Sequence, residues 1–478
     1  MINRLFPNGP LIRWLDLTPQ FLLRSAVVLS VILLSTYLGS RVSTNYLIAI
    51  IGGIAILILI RLPQLGLVGV IAGLVIPFSI STGSQTPFNT TLLIIPALLA
   101  IWLAEMIRQR KFQLVPSPTT LPMLALVVSV TISLVAGNLP WNLFATTAPV
   151  PAQIGGWAVF VFSVGVYLLV ANLINDQRWL KVFTVLFLII ASFYMIGRFG
   201  IFPFTALSAM MTEMRSDGSI YWVWIVALAT GQLLFNRKLN PLVQMMLVLL
   251  VTLTFYNGFF RARDWASGWL PPLIALGVIV WLRAWRVGLL LAILGLVAFL
   301  IINPGLIDGL LSSTVNEESY SLMTRDVARQ ILVEQVFPLS PIIGLGPSNY
   351  YYYTPLYSIL GWYVRFNSHN NYVDILVQTG LVGLACFFWT VGAIGLLAWR
   401  LRNRFVGDFA QGYIYACLGG LTASLVSAWL GDWLLPFVYN IGLNGFRASV
   451  LAWFFLGGLV ALDHLSTSKT GTMAQPLK

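Results

Sequence analysis

The segment 371–399, NYVDILVQTGLVGLACFFWTVGAIGLLAW, carries a single charged residue, Asp374, near its start. About 20 consecutive apolar residues are enough for an α-helix to cross the hydrocarbon core of a bilayer. Similar segments recur along the chain of 478 residues, of which 58% are hydrophobic and only 9% are charged. Soluble globular chains carry about 25% charged residues. The sequence therefore predicts an all-α protein that crosses a membrane many times.

About 14 apolar segments, within a range of 12–14, are candidate transmembrane helices. They are 22–40, 46–60, 65–80, 90–107, 120–136, 154–174, 181–198, 219–235, 241–259, 265–282, 287–302, 371–399, 409–430 and 447–462. One connection is long and rich in Gly, Pro and Tyr, residues 303–370, and connections of that size are usually functional or partly helical. We therefore expect one polytopic membrane domain, residues 1–478, with a large, partly helical loop.

The distribution of lysine and arginine predicts the orientation of the chain. With the N-terminus in the cytoplasm, 18 of the 27 basic residues, including all five lysines, fall on the cytoplasmic side, as the positive-inside rule requires. Both termini are then cytoplasmic and the loop 303–370 lies outside. The first apolar segment has no small-residue cleavage site and is expected to remain as an uncleaved signal. The basic residues left outside are all arginines, namely Arg41, Arg198, Arg215, Arg261, Arg263, Arg325, Arg329, Arg365 and Arg447.

The composition also argues against several classes of site and partner. The net charge of +12 would suggest nucleic acid in a soluble protein, but here it follows the membrane topology, so we expect no nucleic-acid partner. Cys386 and Cys417 both lie in apolar segments, which argues against a disulfide framework. His369 and His464 fall on opposite sides of the predicted membrane and cannot together form a zinc or iron site. We therefore expect no metal and no cofactor.

The outer arginines are candidates for an anion site, because cationic groups near membrane depth are usually functional. Arg261 and Arg263 stand in FFRARDW between two spans, and Arg215 stands in MRSDGS before the eighth span. Arg325 and Arg329 lie in TRDVARQILVEQV, whose apolar spacing predicts an amphipathic helix. We expect Arg329 on the solvated face of that helix. A planar guanidinium matches the oxygens of phosphate groups, so the set predicts binding of a phosphorylated ligand.

The stretch 344–384, GLGPSNYYYYTPLYSILGWYVRFNSHNNYVDILVQTGLVGL, is the most specific part of the sequence. Its two leading glycines predict a tight turn, and the tyrosines at 350–353 are typical of an interfacial aromatic belt. Ser368 or Asn367 is suited to cap the following helix. The free N–H groups at such a helix start favour an anion and disfavour protonation of His369, which leaves a neutral base.

An upstream arginine, a GxG turn and the pattern HNxxxxxLxxxGxxG at the start of a transmembrane helix resemble the O-antigen ligase and polymerase family of bacterial envelope glycosyltransferases. The motif covers roughly residues 325–383. The family pattern also has an arginine just outside an earlier span, a place that either Arg261 or Arg263 can take. The chain departs from the pattern at Gln378, where an acidic residue is usual, and at Ser348, where a third glycine is usual. The tryptophan usual near the loop arginine is absent.

This resemblance implies a GT-C-like protein of the bacterial plasma membrane that transfers a glycan from an undecaprenyl-diphosphate-type donor to a sugar or other hydroxyl acceptor. The transfer would be inverting, metal-independent and extracytoplasmic. His369 would act as general base or would position the acceptor, and Arg325 would also be catalytic. The diphosphate would be held by a set of arginines, namely Arg261, Arg263, Arg325 and Arg215. Secondary candidates near the same membrane face are Asn370, Asp374, Asp432 and Arg447.

Several functions remain open at this point. A polymerase, a ligase and a protein-glycosylating enzyme share the donor and the membrane lipids, and they differ in the glycan or lipid-linked acceptor. The main alternative is a transporter of an anion such as bicarbonate or of a lipid-linked sugar. Such a transporter typically has broken helices, charges near the bilayer midplane or inverted repeats, and the sequence makes none of these evident. A membrane scaffold would need neither the arginines nor His369.

Overall fold

The computed structural model describes residues 59–80, 87–290 and 317–473, together with the single positions 30, 53, 293 and 297. In the last range, side chains are described from residue 323 to residue 467. The predicted span 22–40 and most of the predicted spans 46–60 and 287–302 lie outside the described residues.

The chain divides into two units, Met1–Leu62 and Pro63–Lys478. Of the first unit, only positions 30, 53 and 59–62 are described. The described architecture is therefore that of the second unit.

The second unit is built almost entirely from helices. Its α-helices are, in chain order, α1 (Pro63–Ala72), α2 (Thr90–Gln109), α3 (Thr120–Ala136), α4 (Val150–Leu173), α5 (Gln177–Arg198), α6 (Phe204–Glu213), α7 (Ser219–Phe235), α8 (Pro241–Tyr256), α9 (Ala266–Arg283), α10 (Glu317–Ile331), α11 (Tyr350–Tyr353), α12 (Asn371–Leu401), α13 (Phe409–Leu430) and α14 (Phe446–Met473). Short π-helical turns extend α8 (Asn257–Arg261) and α10 (Leu332–Val336). Short 3₁₀ turns lie at Phe337–Leu339, Thr354–Leu356 and Leu443–Gly445.

Within the described ranges, eight helices are long and apolar enough to cross a membrane, namely α2, α4, α5, α8, α9, α12, α13 and α14. Three shorter apolar helices, α1, α3 and α7, accompany them. The protein is therefore an all-α, multi-pass membrane protein. The total of 14 spans, the GT-C-like architecture and the single-domain organisation remain predictions.

The sequence located these helices well where an apolar run ends in polar turn residues. Helices α3, α7 and α13 have the predicted bounds 120–136, 219–235 and 409–430. Two features were not predicted, helix α6 and a small antiparallel sheet. In that sheet, β1 (Ser79–Ile80) pairs with β2 (Phe88–Asn89), with Ser79 opposite Asn89.

Helices α7 and α14 form the centre of the helical bundle. Helix α7 packs against α9 and α13, and α14 packs against α4 and α7. Every residue from Ser219 to Gln232 is buried, as expected of a helix that is apolar on all sides. The aromatic rings of Trp224 and Phe455 join these two central helices, at a centroid distance of 5.1 Å. This core fixes the helix ends from which the functional residues project.

Helix α12 is interrupted at Gly380, whose φ of 68° and ψ of −171° are not helical. This backbone region is essentially restricted to glycine. The segment 341–346 binds the peptide groups that the interruption leaves unpaired, through the backbone hydrogen bonds Leu345 N to Val377 O, Gly346 N to Gln378 O, Leu381 N to Pro341 O and Val382 N to Ile342 O. Residues 341–346 are therefore paired with the interrupted part of α12. This pairing fixes the position of the loop residues that follow.

Candidate functional site

A cavity of about 400 Å³ lies at the end of the bundle where α7, α9 and α12 begin and where α13 ends. Loops on four sides contribute to it. The lining residues are Thr212, Arg215, Asp217, Gly218, Trp265, Ser267, Arg325, His369, Leu430, Gly431, Asp432, Trp433, Asn440 and Ile441. We call this cavity A.

A second cavity of about 480 Å³, cavity B, lies beside it on the side of the long loop. Its lining residues are Thr324, Arg325, Ala328, Tyr351, Ile359, Arg365, Phe366, Asn367, His369 and Tyr439. Arg325 and His369 line both cavities. These two side chains, singled out by the sequence motif, therefore stand where the cavities meet.

The backbone at His369 is held in a left-handed conformation, with φ of 47°, which non-glycine residues adopt only when their surroundings require it. Arg329 helps to hold this backbone conformation. Its Nε donates to the carbonyl of Ser368 at 3.2 Å, and its Nη2 donates to the carbonyl of His369 at 3.4 Å. The prediction that Arg329 lies on the solvated face of α10 is wrong. Its spacing of four residues from Arg325, about one helical turn, was the signal that could have placed it beside the site.

The two asparagines after His369 have separate structural roles. Asn370 is the N-cap of α12, and its side-chain oxygen accepts from the backbone N–H groups of Tyr372 at 2.9 Å and Val373 at 3.2 Å. The predicted cap, Ser368 or Asn367, is wrong by two or three residues. The Asn371 side chain pairs with the backbone of the loop after α13, donating to the carbonyl of Leu435 and accepting from its N–H. This pairing ties the start of α12 to the far wall of cavity A.

Asp374 lies in the first turn of α12, next to the segment 368–370, and lines neither cavity. Its Oδ1 accepts hydrogen bonds from the Tyr350 hydroxyl at 2.5 Å and from Ser368 Oγ at 2.7 Å. Burial, together with the nearby Asp374, raises the pKa of Tyr350 well above its usual range, so this hydroxyl remains a donor. Asp374 therefore supports the backbone next to His369 from below.

The imidazole of His369 contacts a polar chain formed by Asn440 and Asp432. Asn440 Nδ2 lies 3.2 Å from His369 Nδ1 and 2.5 Å from Asp432 Oδ1. Asp432 Oδ2 accepts from the backbone N–H of Phe437 at 2.9 Å. Burial raises the pKa of the Asp432 carboxyl group. The sequence placed Asp432 among the secondary candidates, but it gave no signal for Asn440, because an asparagine in a polar loop is common.

His369 itself is uncharged at neutral pH. Burial and the positive charges of Arg325 and Arg329 lower the pKa of His369 to about 4. A positive charge close to an imidazole disfavours its protonated form. The ring can therefore present either one donor or one acceptor to a ligand, depending on which nitrogen carries the proton.

The structure brings two of the four arginines predicted to hold the diphosphate, Arg215 and Arg325, to the cavities. Among the residues that it describes, none hydrogen-bonds or pairs with the guanidinium of Arg325, which faces both cavities. Arg215 lines cavity A, and its Nη1 donates to the carbonyls of Asn440 and Ile441 at 2.8 and 2.9 Å. Arg215 therefore braces the loop that carries Asn440 while it contributes charge to the cavity.

The segment FFRARDW reaches cavity A through its aromatic residue and not through its arginines. Arg261 lies over the ring of Phe199 at 5.0 Å and donates to the carbonyl of Arg198. The carbonyl of Arg263 accepts from Trp269 Nε1 at 2.9 Å. Neither arginine lines cavity A or cavity B, whereas Trp265 lines cavity A. The choice between Arg261 and Arg263 as a diphosphate ligand therefore gains no support from the geometry.

Arg447 is 2% exposed and lies apart from both cavities. Its guanidinium donates to three backbone carbonyls that follow α1, those of Gly73, Ile76 and Phe78. It therefore holds the end of α1 against the start of α14, which is a structural role.

Aromatic rings line both cavities. In cavity A, Trp265 and Trp433 meet edge to face with centroids 5.6 Å apart. In cavity B, Tyr351 stacks on Tyr439 at 4.5 Å. The tyrosines at 350–353 were predicted to form an interfacial belt, but Tyr350 and Tyr353 are buried in the loop core. In the part of the chain that is described, no group of three or more His, Cys, Asp or Glu residues could hold a metal ion.

Fold and site together define a multi-pass membrane protein with a cationic, aromatic-lined site at one end of its helices. Residues 266–388 match the family model described as O-antigen ligase (Wzy_C). The match includes Arg325, His369 and the interrupted part of α12, and it confirms the resemblance to the O-antigen ligase and polymerase family. It supports a general role in glycan transfer at a membrane. No curated protein matches the chain.

Proposed function

We propose that the protein transfers a glycan from a polyprenyl diphosphate donor to a hydroxyl acceptor, as a polysaccharide polymerase or ligase of the plasma membrane. The observation that carries this proposal is the meeting of cavities A and B at Arg325 and His369. Two substrates must bring their reacting atoms within contact distance in a direct transfer. Two cavities that share a cation and an imidazole provide that geometry.

Cavity A suits the donor. It lies among the ends of apolar helices, where a polyprenyl chain can remain in the bilayer while its diphosphate enters the cavity. Arg215 and Arg325 supply positive charge there. The carboxylate of Asp217 accepts from the hydroxyls of Tyr194 and Thr212 at 2.7 and 2.6 Å, and that of Asp432 accepts from Phe437 N–H and Asn440 Nδ2. When the bond from the anomeric carbon to the diphosphate breaks, negative charge grows on the leaving oxygen. Arginines already in place stabilise that charge without reorganisation.

Cavity B suits the acceptor glycan. The described lining includes Arg325 and Arg365 but no acidic residue, and it includes the stacked pair of Tyr351 and Tyr439. Sugars present both hydroxyl groups and apolar C–H faces, so a site of polar groups beside aromatic rings matches them. Arg365 lies over the Tyr352 ring at 4.1 Å, and this contact holds its guanidinium at the rim.

The distribution of charge along the helices supports a site outside the cytoplasm. Cavities A and B lie at the ends opposite to those that carry Lys181, Lys238, Arg283 and Arg400. The lysine-rich ends are expected to face the cytoplasm. Membrane glycan transfer on the outer side then needs no passage of the acceptor through the bilayer.

A transporter is the main alternative, and the interruption of α12 is the feature that favours it. In transporters, interrupted helices direct their unpaired peptide groups at the substrate. Here those groups are hydrogen-bonded to residues 341–346, and Gly380 lines neither cavity. The interruption therefore serves to anchor the loop, and transfer accounts better for the shared Arg325 and His369.

The test uses the purified full chain in lipid nanodiscs with a polyprenyl diphosphate oligosaccharide as donor. Release of polyprenyl diphosphate is measured with and without a lipid-linked or free glycan acceptor. We expect release that depends on the acceptor and falls at least about 100-fold in Arg325→Met. Arg365→Met should mainly raise the KM for the acceptor, and Arg215→Met should mainly raise the KM for the donor. Acceptor-independent anion uptake into vesicles, with no release of polyprenyl diphosphate, would instead support transport.

A further inference from the structure

The polar chain from Asp432 through Asn440 to His369 leaves little freedom to the imidazole. The side-chain amide of Asn440 has two hydrogens on its nitrogen. One is directed at Asp432 Oδ1, 2.5 Å away, and the other at His369 Nδ1, 3.2 Å away. Nδ1 therefore accepts a hydrogen bond. In a neutral imidazole, the other nitrogen must then carry the proton.

The orientation of this amide is determined by the carboxylate beside it. If the amide were rotated by half a turn, its oxygen would face Asp432 Oδ1 at 2.5 Å, and two acceptors would oppose each other. Asp432 Oδ2 is already occupied as an acceptor by the N–H of Phe437. Asp432 is 1% exposed although it lines cavity A, so little of its surface is open to water that could relieve such a contact. While Asp432 is ionised, this contact keeps the nitrogen of Asn440 toward His369.

We infer that Asn440 and Asp432 are positioning residues that fix His369 as its Nε2–H tautomer, so that this imidazole enters the reaction as a hydrogen-bond donor and not as the general base. The tautomer follows from these contacts with Asp432 ionised. The role in the reaction rests on the proposed function. Beside Arg325, an Nε2–H group gives the site a second donor for a negatively charged oxygen.

This assignment changes the expected path of the transferred proton. The acceptor oxygen forms its bond to the anomeric carbon while the bond from that carbon to the diphosphate oxygen breaks and its electron pair stays with the diphosphate. Nε2–H and Arg325 stabilise the charge on that leaving oxygen. The acceptor proton ends on the released diphosphate, whose oxygens are more basic than before, and His369 keeps its own proton throughout.

The chain allows a direct measurement of the tautomer, since it contains only two histidines. His464 lies exposed near the end of α14, so His464→Gln leaves His369 as the single imidazole. The full chain with ¹⁵N-labelled histidine is reconstituted in lipid, and the two ring nitrogens are observed by NMR at neutral pH. We expect an unprotonated Nδ1 and a protonated Nε2. A protonated Nδ1 would overturn the inference without any substrate.

Two variants test whether Asn440 fixes the tautomer of His369 and whether that tautomer matters for glycan transfer. Asn440→Leu removes the donor to Nδ1 and should give a mixture of tautomers. Asn440→Asp replaces that donor with a carboxyl group that can accept from Nδ1–H, so it should shift the proton to Nδ1. Polyprenyl diphosphate release by Asn440→Asp should then fall about 10–100-fold, the cost of a lost hydrogen bond to a charged group. A reversed tautomer with full activity would overturn the donor role.

The matched control is Asn142→Leu, at an asparagine whose side chain accepts from the N–H of Phe144 and lines neither cavity. It should change neither the tautomer nor the release. The same experiments distinguish a failure of the proposed function from a failure of this inference. If the wild-type protein has the Nε2–H tautomer but transfers no glycan to any acceptor, the positioning of His369 by Asn440 and Asp432 is supported. The proposed glycan transfer is then contradicted.

Discussion

At the scale of single residues, each of the neighbouring residues 369–371 has a different structural role. His369 faces the cavities, Asn370 caps α12, and Asn371 binds the loop after α13. Arg329 holds the left-handed backbone through two carbonyls. A change at a neighbour therefore alters the reaction by moving the imidazole, although the neighbour need not contact a substrate.

The charge of Arg325 should be visible in the titration of His369. The pKa of His369 is about 4 because of burial and the charges of Arg325 and Arg329. Arg325→Met removes one cation, so protonation of the ring becomes less unfavourable and the pKa should rise, while burial keeps it below the usual value of about 6.5. The measurement is an NMR titration of the ring in the His464→Gln background.

The matched variant for this titration is Arg365→Met, which removes an arginine from the lining of the same cavity B. Arg365 is not among the charges that act on His369, so the pKa of His369 should stay near 4. Equal shifts in the two variants would mean that general charge and not the contact with Arg325 sets the pKa. In wild-type protein, glycan transfer should fall as the pH falls through about 4, because a protonated Nδ1 can no longer accept from Asn440 and the imidazole loses its fixed position.

At the scale of elements, the sequence predicted helices well and their irregularities poorly. The bounds of α3, α7 and α13 follow from local apolar runs, which composition reveals directly. The interruption at Gly380 depends on pairing with residues 341–346, and such non-local pairing leaves no periodic signal. The same holds for the site: Arg325 and His369 were predicted from the motif, whereas Asn440 and Trp265 reach it only through packing of distant loops.

The interruption of α12 should be intolerant of a side chain. In Gly380→Ala the new Cβ would lie 2.2 Å from the carbonyl oxygen of Ile342, and the backbone conformation itself costs a non-glycine residue about 1–3 kcal/mol. We expect a lower free energy of unfolding by at least that amount and reduced glycan transfer, since the loop before His369 would lose its anchor. Thermal unfolding in one detergent, followed by tryptophan fluorescence, measures the first effect.

Gly392→Ala provides the comparison within the same helix. A Cβ at Gly392 meets nothing within 4 Å, and alanine is favoured over glycine in a helix interior by roughly 0.5–1 kcal/mol. This variant should unfold at the same or a slightly higher temperature and keep full transfer activity. If both variants lowered stability equally, the pairing between α12 and residues 341–346 would not be the cause.

At the scale of the whole molecule, a group of arginines and the candidate site lie at opposite ends of α9 and α12. The ends of α9 and α12 and the turn between α12 and α13 carry Arg283, Arg400, Arg402 and Arg404, whereas cavities A and B occupy the other ends. Such segregation orients a polytopic protein during insertion. The helices therefore direct the candidate site to one side of the bundle.

This orientation can be tested with two cysteines placed at opposite ends, in a background with Cys386 and Cys417 changed to alanine. Tyr363 is 70% exposed beside cavity B, and Val406 is 74% exposed between α12 and α13, so accessibility within the protein is matched. A membrane-impermeant maleimide added to spheroplasts should label Tyr363→Cys but not Val406→Cys, and lysis should make both reactive. The opposite pattern would place Arg325 and His369 in the cytoplasm. A lipid-linked donor would then be used before it crosses the membrane, and the proposed extracytoplasmic transfer would be wrong.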